Sequence, residues 1–200
     1  MTPSPKIAGV ILSGGASRRM GTPKALLRFQ NETFLDRLIG LFSIICDPII
    51  VVVGLHADNI RSGIERGRDV LFAVNPDPER GMLSSLQCGL ALVPRDAAAA
   101  MFLPVDHPHL EISTLETLAA RFGADRAPVT VPTYAGEHGH PVCIARPLVA
   151  ELLALPPEAK ASDVIHRHVA QTVYVEVSDP AVVTDIDDPS AYADLLAQHQ

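Results

Sequence analysis

Tryptophan is absent from this 200-residue chain, and aromatic residues make up only 4% of it. The core must therefore be aliphatic, as in sheets of Val, Ile and Leu covered by helices rich in Ala and Leu. Cysteine is nearly as scarce. Cys46, Cys88 and Cys143 are widely spaced and odd in number, with none of the spacings of a metal or redox motif. Free thiols in a reducing cytoplasm are the simplest account. Positive charge is in deficit, with 16 Lys and Arg against 23 Asp and Glu and a formal net charge of −7. That balance argues against a nucleic-acid partner, whose grip comes largely from basic side chains meeting phosphates. Long apolar runs are missing too. The most apolar stretch, 38–55, is interrupted by Asp47-Pro48. The first run, Ile7 to Ile11, is short and leads into glycines rather than a cleavage site. Neither a membrane partner nor a signal peptide is expected, and the expected location is cytoplasmic.

What is present is a globular composition, with 48% hydrophobic and 20% charged residues. A chain of this length buries about 70% of its unfolded surface and needs no disulfide or metal staple. One domain over residues 1–200 is the expectation, with no repeat, linker or low-complexity tract. Strand candidates at 7–12, 49–53, 70–74, 100–104, 128–132, 141–145 and 172–177 alternate with helix candidates at 33–45, 57–65, 82–93, 111–122, 146–154, 161–169 and 189–198. Several strands are continuous apolar runs, as parallel strands buried on both faces should be. Thr33, Asp58 and Ser113 are the expected N-caps. The succession predicts an α/β fold with a mostly parallel central sheet and helices on both faces. Ligands in such a fold sit beyond the carboxyl ends of the strands.

The densest chemistry follows the first strand. Residues 12–24 read Leu-Ser-Gly-Gly-Ala-Ser-Arg-Arg-Met-Gly-Thr-Pro-Lys. Gly14 and Gly15 let the chain turn sharply and lie against a ligand, and successive N–H groups in such a turn form an anion-binding concavity. Arg18 and Arg19 add planar forks that match phosphate oxygens, and Lys24 adds a mobile point charge. A P-loop is excluded, because five residues separate Gly15 from Gly21 and Thr22-Pro23 precede Lys24. The dinucleotide pattern G-x-G-x-x-G is absent. The bland alternative is a solvated turn with stray basic residues.

The pattern L-x-G-G-x-S-x-R-M-G-x-x-K resembles the signature of the nucleotidyltransferases that attach a nucleotide to the molybdenum cofactor, the molybdopterin guanylyl- and cytidylyltransferases. Further matches follow in order: Asn75-Pro76 with Gly81-Met82-x-x-Ser85-Leu86, then Pro104-Val105-Asp106-His107-Pro108, Gly139-His140-Pro141 and Asp185-Ile186-Asp187-Asp188-Pro189. The resemblance covers nearly the whole chain, and its first block is the most specific. It implies a Rossmann-like nucleotidyltransferase fold. It also implies transfer of a nucleoside monophosphate from an NTP to the terminal phosphate of molybdopterin, with release of pyrophosphate.

The resemblance also distributes roles. Leu12, Ser13, Gly14 and Gly15 belong to the nucleotide loop, with Arg19 and Lys24 on the β- and γ-phosphates. Asp106 ends an apolar strand, where a carboxylate suits a hard cation, although the residue alone also reads as a helix N-cap or turn aspartate. The resemblance selects the metal role, which implies Mg²⁺ as cofactor. Asp187 is the second metal residue and Asp185 the reserve. In an extended segment these two share a face, whereas Asp188 fits as the N-cap of a helix starting at Pro189. The family usually has Thr at the position of Asp188. Asn75, Ser84 and Ser85 look like the wall that holds base and ribose, with plain capping as the alternative for the serines. His140 resembles an acceptor contact. The His-x-His pairs 107/109, 138/140 and 166/168 have no nearby Cys and lie on different elements, which argues against zinc.

The downstream blocks resemble the cytidylyl branch, so CTP is favoured over GTP. Gly14 points the other way, since the cytidylyl branch usually has Ala there, and a Gly-Ala-Arg stretch is missing near Ala159-Lys160-Ala161. The partners implied are an NTP, a molybdopterin-type acceptor, and transient contact with a molybdoenzyme or its chaperone. Two alternatives remain: transfer to another phosphorylated acceptor such as a sugar phosphate, and a non-catalytic carrier of the finished cofactor.

Overall fold

Three apolar runs form the centre of the sheet. In the computed structural model, which describes residues 5–15 and 17–199, these are β1 (Ile7–Ser13), β4 (Ile49–Val53) and β6 (Ala99–Pro104). Every residue of β1 and β4 is buried. Their side chains divide by parity, as alternation across a strand requires. Ile7, Ile11, Val51 and Met101 enter one apolar cluster, and Val10, Leu12, Val52 and Phe102 enter the other. A strand with two buried faces cannot show a polar alternation, which is why these segments read as continuous hydrophobic runs.

The remaining elements in chain order are β2 (Arg28–Phe29), β3 (Glu32–Thr33), α1 (Phe34–Phe42), α2 (Ala57–Gly63), β5 (Leu71–Val74) and α3 (Met82–Leu90). Then come α4 (Ile112–Asp125), β7 (Val129–Tyr134), β8 (Glu137–His138), β9 (Val142–Ala145), α5 (Arg146–Leu153), α6 (Ala161–Arg167), β10 (Thr172–Glu176) and α7 (Pro189–Gln198). The main sheet runs β10-β7-β9-β6-β1-β4-β5, with β8 paired to β7. Its pairs are parallel except those made by β9 and β8. Apolar residues of α1, α2, α4 and α7 pack in the first cluster, and those of α3, α5 and α6 in the second. The α/β architecture with helices on both faces is thus as expected.

Several ends differ from the sequence reading. Helices α1, α2 and α3 stop two or three residues early, and α4 runs on to Asp125. Thr33 caps α1, accepting from the Asp36 N–H at 3.0 Å. Asp58 lies inside the first turn of α2, and Ser113 lies inside α4, where it donates to Glu111. Asp188 caps α7, accepting from Ser190 and Ala191 N–H groups. No disulfide joins the described cysteines. Burial pushes the Cys46 thiol up to about 12 and raises Cys143 as well, so neither forms a thiolate at neutral pH.

Two features of this frame place the site. β1 lies between β4 and β6, so the chain leaves it to one side and returns on the other. This creates a crevice at the carboxyl end of the sheet. The arm formed by β8 and β9 along β7 is also interrupted at Gly139 and His140. There Gly139 is pressed against the backbone of Val182, whose carbonyl accepts from the His140 N–H at 2.8 Å. A Cβ on Gly139 would lie 2.3 Å from that carbonyl oxygen, so any larger residue would push the two segments apart.

Candidate active site

The loop after β1 turns back on itself through Ser17. The Ser17 carbonyl accepts from the N–H groups of Met20 and Gly21, and its Oγ accepts from the Lys24 N–H at 3.1 Å. Ser17 and Gly21 both have left-handed backbone, with φ of 47° and 67°. Gly21 adopts that conformation at no steric cost, and Ser17 holds it with its hydrogen bonds. The result brings Lys24 back under the glycines. Composition does not reveal this role for Ser17; its place in the loop pattern was the available signal.

Gly14 is needed for packing rather than for backbone angle. An added Cβ would stand 2.9 Å from Ser85 Oγ. One residue beyond β4, a Cβ on Gly54 would meet the Gly14 carbonyl oxygen at 2.4 Å. The glycine loop therefore lies directly on the end of β4 and the first turn of α3. Gly15 is exposed and open.

A pocket of about 480 Å³ opens here. Its floor is the end of β1 with Gly14 and Gly15, where Leu12 and Ser13 contribute. One wall carries Arg19 and Lys24, the opposite wall Met82 and Ser85, and the inner end Asp106 and Asp187. Chain separation is large: Lys24 and Asp106 are 82 residues apart and Lys24 and Asp187 163 apart. Two backbone bonds bring them together. Val105 N–H donates to the Leu12 carbonyl, and Ile186 N–H donates to the Asp106 carbonyl. The segment carrying Asp185 and Asp187 is thereby laid across Asp106.

Lys24 Nζ donates to Asp106 Oδ2 at 2.9 Å and to Asp187 Oδ1 at 2.6 Å. Arg19 donates to Asp187 Oδ2 at 2.5 Å. Burial pulls the Lys24 pKa down, but the hydrogen bonds to Asp187 and Asp106 outweigh it and the net shift is upward. The Lys24 hydrogen bond, with Arg19 beside it, holds the Asp187 carboxyl below the usual carboxylate range. Asp106, Asp185 and Asp187 each offer an oxygen within 4.8 Å of the other two. Asp106 Oδ1 is buried and has no hydrogen-bond partner among the described residues. A carboxylate oxygen left bare in this way, in an all-oxygen donor set, fits a hard divalent cation such as Mg²⁺ or Mn²⁺. Asp188 faces away on its helix cap, as the alternation of an extended segment requires.

The other residues singled out in the sequence lie further back. Asn75 is buried, and its side-chain amide donates to Ser84 Oγ at 2.8 Å and Ser85 Oγ at 3.0 Å while its oxygen accepts from the Asp77 N–H. Its donors and acceptor are thus committed within the wall. Ser84 also donates to the Gly81 carbonyl. Arg18 pairs with Glu79 at 2.7 Å, joining the loop to the opposite lip of the pocket. His140 stands beyond Asp106, with its ring 5.5 Å from that of His107. Burial, reinforced by His107, lowers its pKa to about 4, so the imidazole is neutral at pH 7. His107, named in the sequence only within the Pro104–Pro108 block and a His-x-His pair, donates from Nδ1 to the Ala181 carbonyl and places Nε2 3.8 Å from Asp106 Oδ1. Among the described residues the only metal-like grouping is the three aspartates, so the His-x-His pairs form no zinc cluster.

Comparison with known proteins agrees with this geometry. Residues 9–173 match the model of the MobA-like NTP transferase domain. The chain is similar to the molybdenum cofactor cytidylyltransferase of Escherichia coli K12, at 24% identity over 92% of each chain. It is also similar to a protein of Mycobacterium bovis BCG named "Probable molybdenum cofactor guanylyltransferase", at 31% identity over 63% of this chain and 61% of that one. Among solved structures it resembles Rv0371c of Mycobacterium tuberculosis H37Rv in complex with manganese, with a TM-score of 0.78 and 26% identity over 96% of this chain and 98% of that one.

Proposed function

The chain belongs to the MobA-like NTP transferase domain family and is a nucleotidyltransferase, and on that premise we propose that it transfers CMP, in preference to GMP, from an NTP to the terminal phosphate of molybdopterin. Pyrophosphate is the leaving group. Residues 1–200 act as one domain, in the cytoplasm, and the product passes to a molybdoenzyme or its chaperone by transient contact. No helix among the described residues is long and apolar enough to cross a membrane.

The observation that carries this reading is the convergence of Lys24, Asp106 and Asp187 at the inner end of a glycine-floored pocket. The backbone N–H groups after Ser13, with Arg19 and Lys24, bind the triphosphate and offset the charge that develops on departing pyrophosphate. Asp106 and Asp187, with Asp185 beside them, hold the divalent cation. When bound, Mg²⁺ supplies electrostatic neutralisation of the phosphates. The manganese complex of the mycobacterial neighbour supports a divalent ion in this fold. Asn75 acts through Ser84 and Ser85, which it fixes toward the base and ribose. His140, neutral and half-buried beyond Asp106, meets the acceptor. Catalysis of this kind is positioning and electrostatics, and no covalent enzyme intermediate is needed.

The preference for CTP rests on the downstream sequence blocks and on the relative matched over the greater length, the cytidylyltransferase. The test is turnover of molybdopterin, or its molybdenum form, with CTP and GTP in parallel with Mg²⁺, detecting dinucleotide and pyrophosphate. The cytosine dinucleotide is expected as the main product. A guanine product reverses the base preference. Pyrophosphate release only with a sugar phosphate replaces the acceptor.

A further inference from the structure

Lys24 occupies the ground that a divalent cation needs. Its ammonium is within 3 Å of both Asp106 and Asp187, and its side chain is only 12% exposed. Asp187 has neither oxygen to spare, since Lys24 holds one and Arg19 the other. Three carboxylates and two side-chain cations leave the cluster close to electrical balance. A Mg²⁺ or Mn²⁺ ion bonds carboxylate oxygen at about 2.1 Å. On these same oxygens it would sit against the ammonium, like charge against like charge.

Two other features show how that contest can be resolved. Asp106 Oδ1 is buried and accepts no hydrogen bond among the described residues, His107 Nε2 at 3.8 Å being too far, so one acceptor is already kept back from Lys24. Lys24 and Arg19 also line the pocket alongside Gly15, where phosphate oxygens would lie. A lysine ammonium is a point charge on a flexible four-carbon stem, so it can change partners within a small radius.

We infer that Lys24 and the divalent cation compete for the Asp106–Asp187 pair, and that nucleotide phosphates settle the contest by drawing Lys24 away, so that the cation is seated with the nucleotide and not before it. This inference rests on the reading of the pocket as a metal–nucleoside triphosphate site. It gives Lys24 a second task beside phosphate binding: it sets the order of entry and keeps free metal out of a site that has no substrate.

The experiment is a titration of the full chain with Mn²⁺, read by the spin-resonance signal of free ion, without nucleotide. Lys24→Met, which keeps the stem and removes the charge, should bind Mn²⁺ about tenfold or more tighter than wild type, a coupling of ordinary size between linked sites. Lys24→Arg should remain as weak as wild type. Mn²⁺ should raise the melting temperature of Lys24→Met more than that of wild type. Equal Mn²⁺ affinity in wild type and Lys24→Met overturns the inference while leaving the site reading intact. No Mn²⁺ binding to any of the three proteins, even with a non-hydrolysable CTP or GTP analogue, overturns both. The wild type supplies a check that needs no variant: CTP or GTP should bind in EDTA, whereas tight Mn²⁺ binding without nucleotide sinks the proposed order.

Discussion

Ser85 Oγ, held at 3.0 Å by the Asn75 amide, stands 2.9 Å from the point where a Cβ on Gly14 would be. Gly14→Ala must therefore displace a hydroxyl that Asn75 has fixed. Overpacking of this kind costs about 1–3 kcal/mol, which corresponds to a loss of roughly five- to 150-fold in nucleotide affinity if the loop moves to relieve it. Ser85 Cβ itself would lie 3.8 Å away, an ordinary contact. The double variant Gly14→Ala/Ser85→Ala should regain most of the loss. Calorimetric titration of both variants with CTP and GTP in Mg²⁺ checks this, and strictly additive effects would disprove the coupling.

Removing the Lys24 charge should be felt mainly in turnover. Lys24→Ala is expected to lower kcat about 10²–10³-fold, the usual scale for losing one donor to developing charge. EDTA should abolish turnover of the wild type, and added Mg²⁺ or Mn²⁺ should restore it. A Lys24→Ala enzyme with near-native kcat would remove Lys24 from the chemistry.

Asp179 governs the site from a distance. It is buried, and its carboxylate accepts from the Glu111 and Ala181 N–H groups and from Thr114 Oγ1, each at 2.9 Å. It thus ties the start of α4 to the turn whose carbonyls meet His107 and His140. Asp179→Ala leaves these donors without an acceptor and should cost about 2–4 kcal/mol. For a chain of this size that is a fall in Tm of roughly 5–15 °C. Urea and thermal unfolding followed by circular dichroism measure the two quantities.

Acid should destabilise the protein in two stages. Burial, with His107 nearby, lowers the pKa values of His109 and His140 to about 4 from an ordinary 6.5. Between these values the unfolded chain binds more protons than the folded one, so this stability is full above pH 6.5 and is lost as pH falls toward 4. Asp187 adds a lower stage, because its folded pKa lies below its ordinary 3.8 and its contribution fades under that pH. Melting temperatures across pH 4–7 should rise with pH, and His140→Gln should flatten the slope. An unchanged slope in that variant would exclude His140 as a source.

The central strands were legible because burial on both faces leaves an unmistakable apolar run, as at Ile49–Val53. The loop around Lys24 was legible because few other chemistries need glycines and cations so close in sequence. Asp185 and Asp187 could be paired from the parity of an extended segment, and Asp188 set aside as a cap. The role of Asn75 was harder to read. An amide that can pair with a base pairs equally well with hydroxyls, and those of Ser84 and Ser85 come within reach only when the Pro78–Arg80 turn folds back. The strands β2 and β3, two residues each, are too short for any periodicity to register. Leu71 and Val74 are exposed within the apolar strand candidate 70–74, because an edge strand keeps its apolar composition while losing one neighbour.

Gly54 carries a separate lesson. The obstacle to a side chain there is the Gly14 carbonyl, a backbone atom that no rotamer change can move aside. In a saturation library selected for nucleotide binding, position 54 should therefore tolerate no replacement. A survey of pocket-lining residues would never nominate it, since it backs the glycine loop and does not line the pocket. The fidelity of the binding surface is guarded at this point by a residue whose whole contribution is to take up no room.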